Sequence, residues 1–131
     1  MERGFKAFKF GWAPRDRTGD VSYCESMVRT ARDAVGDCEI MVDPVGSMPF
    51  WPHGYKWALR TSHMLAEYDV VWFEEPLPAD DLEGYKLLRA HSPVRSSAGE
   101  VLTRRQSFIP WIDGGALDLS LIHISEPTRP Y

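Results

Sequence analysis

Three acidic residues, Asp43, Glu74 and Glu100, are the side chains of this sequence best placed to do chemistry. Each closes a short run: Ile-Met-Val-Asp at 40–43, Val-Val-Trp-Phe-Glu at 70–74 and Val-Arg-Ser-Ser-Ala-Gly-Glu at 94–100. They lie 31 and 26 residues apart, about the length of one strand–helix unit. Acids at the ends of successive parallel strands converge, because such strands present their C-terminal ends side by side. Three carboxylates gathered there repel one another unless a cation sits among them. A hard divalent ion with oxygen ligands fits that demand, so the pattern predicts a Mg²⁺ site. Taken singly, each acid is also what a following helix N-terminus favours.

The elements that must position these acids follow from the hydrophobic periodicity. Residues 5–10 read as a strand, followed by a loop over 13–20 rich in Pro, Arg, Gly and Asp. Ser22 opens a helix in a capping box with Glu25; Met27, Val28, Ala31, Ala34 and Val35 form its apolar face, and Gly36 and Asp37 end it. A second strand spans 39–42. A loop over 44–54 holds three prolines, Phe50, Trp51 and His53, and leads to a helix over about 55–67. The strand at 70–73 is β-branched and aromatic, as expected of a strand buried on both faces. Asp80 with Glu83 predicts another capping box, before a helix containing Leu82, Tyr85 and Leu88. Val94 opens the next strand, Thr103 with Gln106 caps a helix running to about Asp113, and 116–119 begins a further strand. This alternation predicts an α/β fold with a parallel sheet and outer helices. An open doubly wound sheet and a barrel both satisfy it. Acids converging from three consecutive strand ends favour the barrel, here a partial (β/α)₈ TIM-type barrel of four to five units.

Composition narrows the partners. The chain has 131 residues, 44% of them hydrophobic, and a formal net charge of −4. With no basic run, no nucleic-acid surface is expected. No apolar stretch approaches the roughly 18 residues of a membrane span, and the N-terminus lacks the apolar core of a signal peptide. Cys24 and Cys38 read as small buried hydrophobes in a reducing, cytoplasmic setting.

Four runs, Gly-Phe-Lys-Ala-Phe-Lys (4–9), Met-Val-Asp (41–43), Trp-Phe-Glu-Glu-Pro (72–76) and Ala-Gly-Glu (98–100), resemble the enolase superfamily, in its mandelate racemase/muconate-lactonizing branch. Their order and spacing match that branch's barrel from its second strand to the start of its sixth, over roughly residues 4–118. The resemblance implies that Asp43, Glu74 and Glu100 bind Mg²⁺, which holds a substrate carboxylate and stabilises the enediolate formed when the α-proton leaves; Mg²⁺ stabilisation of such an intermediate is the established pattern of enolase-superfamily sites. Lys9 matches the first lysine of the family's Lys-x-Lys pair, near the substrate carboxylate, and is the catalytic candidate; otherwise it is a lysine snorkelling from a strand end. Glu75 is expected behind the metal ligands, paired with a nearby lysine or arginine.

Two departures bear on the reaction. The second lysine of the pair is replaced by Gly11, and positions 7, 9 and 11 should face the barrel mouth. That disfavours a two-base racemase and leaves a one-base reaction, in which a β-hydroxyl leaves as in acid-sugar dehydratases. The Asn that often follows two positions after the first metal ligand is Val45 here. The resemblance therefore implies a small carboxylate, a sugar acid, as substrate and a lyase of the dehydratase type. A racemase, epimerase or cycloisomerase is the runner-up. Family members are often multimers, so a homo-oligomeric parent is expected.

A closed barrel of this kind needs about 250 residues. The family's capping domain and its last strands, where a His–Asp dyad usually supplies the other base, are expected to lie outside this chain, which alone is then expected to be inactive. Residues 119–131, Leu-Ser-Leu-Ile-His-Ile-Ser-Glu-Pro-Thr-Arg-Pro-Tyr, depart from the family and resemble an in-frame translation of a transposase-end sequencing adapter. The barrel fragment is accordingly assigned to 1–118 and a non-native tail to 119–131, although the alternation at 120–125 also suits a strand. Trp51, His53 and Phe50 fit either a lid over the substrate or packing within their own loop. Arg104 fits an anion contact or a solvated helix face.

Overall fold

A computed structural model describes residues 4–12 and 15–120. Five parallel strands, β1 (Ala7–Gly11), β2 (Glu39–Asp43), β3 (Val70–Glu74), β4 (Arg95–Ala98) and β5 (Leu119–Ser120), form one sheet in the order β1-β2-β3-β4-β5. Four helices connect them: α1 (Val21–Val35), α2 (Tyr55–Ala66), α3 (Leu82–His91) and α4 (Arg105–Asp113), with a short 3₁₀ turn at Arg15–Arg17. Each strand pairs with the next in chain order and the direction never reverses. A doubly wound sheet would show a switch point, so the winding is that of a barrel segment. No described helix is long and apolar enough to cross a membrane.

The sheet has two unlike faces. Val42, Phe73 and Ala98 point to the helices and are buried against Val28, Ala58, Leu65, Tyr85 and Leu88. Each such aliphatic or aromatic burial contributes about 1.5–3 kcal/mol, and this layer holds the fold together. By register, Lys9 lies beside Met41, Met41 beside Trp72, Trp72 beside Arg95 and Glu74 beside Ser97, so these residues share the opposite face. The strand at 70–74 is not uniformly buried as expected: Trp72 is half-exposed on the opposite face, which is only partly covered among the described residues, and Val71 is half-exposed where the pairing with β2 skips it in a bulge.

Helix starts differ from the predicted boxes by one or two residues. Asp20, not Ser22, caps α1 and accepts the Tyr23 N–H at 3.0 Å. Asp81, not Asp80, caps α3 and accepts the Gly84 N–H at 2.9 Å. Arg104 occupies the cap position of α4 without a side-chain bond, which leaves Thr103 outside the helix. For α1 and α3 two polar residues compete for the same amides, and the helix takes whichever one its tertiary packing aligns. Of the tail assigned to 119–131, residues 121–131 lie outside the described residues, while Leu119–Ser120 pair with β4.

Candidate metal centre

Because the strands run in register, their terminal acids meet. Asp43 ends β2 and Glu74 ends β3, while Glu100 follows β4 by two residues. One carboxylate oxygen from each lies within 4.8 Å of the others. Glu74 is 3% exposed and Asp43 13%, so their charges are poorly screened by water. Lys9 reaches across from β1 and donates to both, at 2.7 Å to Oε1 of Glu74 and 3.2 Å to Oδ2 of Asp43. Partial burial pulls the Lys9 pKa down, but the hydrogen bonds and charges of Glu74 and Asp43 outweigh it and the net shift is upward. Lys9 is thus held as a cation.

The other oxygens of two acids are also engaged. Oδ1 of Asp43 accepts the Val45 N–H at 3.0 Å, and Oε2 of Glu74 accepts the Trp72 indole N–H at 3.2 Å. Val45 has a φ of 57°, which aims its amide back at the strand end. The family's Asn is absent, but the main chain supplies a donor beside Asp43.

Glu75 links three loops from beneath. It takes a left-handed φ of 45°, which turns its side chain away from that of Glu74. Its N–H donates to the Ser97 carbonyl at 2.8 Å, and its carbonyl accepts the Gly46 N–H at 2.6 Å. A Cβ at position 46 would collide with that same carbonyl, so the approach requires glycine. Oε1 of Glu75 accepts the N–H groups of Gly99 at 2.7 Å and Glu100 at 3.0 Å. Burial pushes the Glu75 carboxyl pKa up, and these amides with Ser47 only partly oppose it. The expected lysine or arginine partner is corrected: among the described residues Glu75 forms no ion pair, and its buried carboxylate takes the main-chain amides of Gly99 and Glu100 instead.

The acids suit a small hard cation. Octahedral oxygens at about 2.1 Å from a metal stand about 3 Å apart when adjacent and about 4.2 Å when opposite. The three oxygens, all within 4.8 Å of one another, are spread only slightly wider than that. Position 11 lies beside Asp43, and nothing lies within 4 Å of a Cβ built there.

The remaining candidates are placed elsewhere in the loops. Trp51 donates its indole N–H to the Pro76 carbonyl at 3.2 Å and meets Trp57 edge-on. His53 stacks on Trp57 at 4.6 Å and shares a 2.6 Å hydrogen bond with Thr18. Burial lowers the His53 pKa. Both side chains therefore anchor their own loop, while Phe50 is 92% exposed. Arg104 is exposed and, among the described residues, forms no ion pair. Sequence reasoning missed Trp72 as a donor to Glu74. The signal was available, since residues two apart on a strand share a face.

The family model described as enolase C-terminal domain-like matches residues 1–126. The chain is 33% identical over 88 residues to an L-talarate/galactarate dehydratase of Salmonella typhimurium, covering 66% of this chain and 21% of the relative. It is 28% identical over 96 residues to a D-galactarolactone cycloisomerase of Agrobacterium fabrum, covering 71% and 24% respectively. A crystal structure of an enolase from Bradyrhizobium complexed with magnesium and mandelic acid superposes with a TM-score of 0.77 at 32% identity, covering 91% of this chain and 31% of that one. The chain therefore spans about a third of that structure's length and under a quarter of either curated relative's.

Proposed function

This chain belongs to the enolase C-terminal domain-like family, and from that premise we propose that Asp43, Glu74 and Glu100 hold Mg²⁺ for removal of the α-proton from a sugar-acid carboxylate. The observation that carries this reading is the convergence of one oxygen from each acid within 4.8 Å. When bound, the ion supplies Lewis-acid stabilisation of the charge that develops on the substrate carboxylate, worth several kcal/mol.

The chain's own residues divide the remaining work. Lys9, which reaches across to Glu74 and Asp43, is a donor to the substrate carboxylate and not a base. Glu75 holds the Glu100 main chain in place. Gly11 leaves the β1 side of the mouth without a proton acceptor, which favours a one-base reaction. In it, a base outside this chain takes the α-proton and returns it to the β-hydroxyl, which leaves as water while the C–H electron pair forms the Cα–Cβ double bond, and the enol so formed tautomerises to the 2-keto acid. That is dehydration of an acid sugar, in line with the dehydratase relative. Cycloisomerisation is the second reading, favoured by the cycloisomerase relative.

On this reading the parent protein is the enzyme, and the 131-residue chain does not turn over. An assay of the purified chain with Mg²⁺ and a panel of sugar acids, galactarate among them, followed by 2-keto acid formation, tests both parts. No product is expected from the chain alone and product is expected from the full-length parent. Dehydration by the chain overturns its proposed inactivity, and epimerised acid without keto product from the parent overturns the dehydratase assignment.

A further inference from the structure

Two of the three acids have an oxygen engaged by a neutral donor. Oδ1 of Asp43 is tied to the Val45 N–H, and Oε2 of Glu74 is tied to the Trp72 indole N–H. Their partner oxygens, Oδ2 and Oε1, are the pair that both face the Lys9 ammonium. In Asp43 and Glu74, then, one oxygen is tied to a neutral N–H donor and the other faces a cation. Trp72 is well placed to donate, because it sits two residues before Glu74 on the same face of β3, flanked in register by Met41 and Arg95.

We infer that Trp72 is a positioning residue that keeps Glu74 a one-oxygen ligand and thereby sets the selectivity of the site for Mg²⁺ over Ca²⁺. The inference rests on the metal reading above and extends it to a residue that touches the ligand instead of the ion. Mg²⁺ demands near-octahedral single-oxygen contacts at about 2.0–2.1 Å and keeps several waters. Ca²⁺ accepts six to eight oxygens at about 2.3–2.6 Å and gains from carboxylates that chelate with both oxygens. An indole N–H bound to Oε2 opposes the rotation that would bring both Glu74 oxygens to one ion. Partners of this kind, one step behind a metal ligand, change affinity by about 10–100-fold when removed. The Val45 donor is main chain and cannot be deleted, so Trp72 is the side chain through which the effect is open to test.

The test measures Mn²⁺ bound to the 131-residue chain by the paramagnetic resonance signal of the free ion, then its displacement by Mg²⁺ and by Ca²⁺. In the unsubstituted chain Mg²⁺ is expected to displace Mn²⁺ at lower concentration than Ca²⁺. Trp72→Phe, which keeps an aromatic ring and removes the N–H, is expected to narrow that ratio by about tenfold, with the circular dichroism spectrum unchanged. An unchanged ratio in folded Trp72→Phe overturns the inference alone. Absence of stoichiometric Mn²⁺ from the unsubstituted chain overturns the metal reading and the inference together. A second readout covers a variant that fails to fold: Mn²⁺ is expected to broaden the Trp72 indole N–H resonance of the unsubstituted chain before those of the other tryptophans, and a Trp72 resonance untouched at saturating Mn²⁺ overturns the inference.

Discussion

One oxygen of the buried Glu75 carboxylate accepts the backbone N–H of Glu100 at 3.0 Å, so a candidate metal ligand at the end of β4 hangs on the residue that follows another at the end of β3. The same oxygen takes the Gly99 N–H at 2.7 Å. Glu75→Ala leaves the buried Gly99 amide without an acceptor, at about 1–3 kcal/mol, and the part-buried Glu100 amide as well, at less. It is expected to destabilise the chain by about 2–4 kcal/mol in urea unfolding and to weaken Mn²⁺ binding about tenfold. Glu75→Gln keeps a carbonyl acceptor and should lose much less of both.

Arg32 does the reverse, supporting the fold without touching the site. Its guanidinium donates five hydrogen bonds to the carbonyls of Gly36, Cys38, Tyr68 and Asp69 at 2.7–3.1 Å. These carbonyls lie where α1 and α2 end and the chain re-enters β2 and β3, at the end of the sheet opposite the acids, where a barrel keeps its stability and not its chemistry. Arg32→Ala is expected to cost about 2 kcal/mol, read as a lower urea midpoint, with Mn²⁺ affinity unchanged. A shift in metal affinity would contradict this separation.

Much of the fold and of the candidate site was legible in the sequence. Acids at or just past the strand ends at 43, 74 and 100, helix-length spacing between them and the barrel winding all follow from hydrophobic runs and the geometry of parallel strands. The details that escaped are local choices between near-equivalent donors. Asp20 and Ser22, or Asp80 and Asp81, compete for the same helix amides, and packing decides. The expected cation beside Glu75 gave way to main-chain amides because a left-handed backbone at that residue, which no residue type there announces, turned the side chain under the β4 loop. Trp72 read as strand filler because a tryptophan's bulk hides its one donor.

His53 gives the stability a pH dependence of defined sign. Burial lowers its folded pKa from the ordinary value, so below about pH 6.5 the unfolded chain binds more protons than the folded one. Stability is then present above that pH and lost on acidification through the depressed folded pKa. His53→Phe, which keeps a ring on Trp57, is expected to flatten the slope of unfolding free energy against pH between about 7 and 5. An unaltered slope would show that other groups govern it.

The two cysteines should differ in reactivity. Burial pushes the Cys24 thiol up to about 11, which leaves on the order of one molecule in a thousand as thiolate at about pH 8. Cys38 is only partly buried. A thiol reagent at about pH 8 is expected to label one cysteine per native chain rapidly and the second only on unfolding, with peptide mapping placing the fast label on Cys38. Fast labelling at Cys24 would contradict the buried packing of α1.

The chemistry proposed for this site depends on three carboxylates sharing one ion. Calorimetric titration of Mn²⁺ into the 131-residue chain, alongside Asp43→Asn, Glu74→Gln and Glu100→Gln, tests that most directly. One ion per chain is predicted, with each substitution weakening binding at least about tenfold. Binding that is absent, or that survives all three substitutions unchanged, would contradict it.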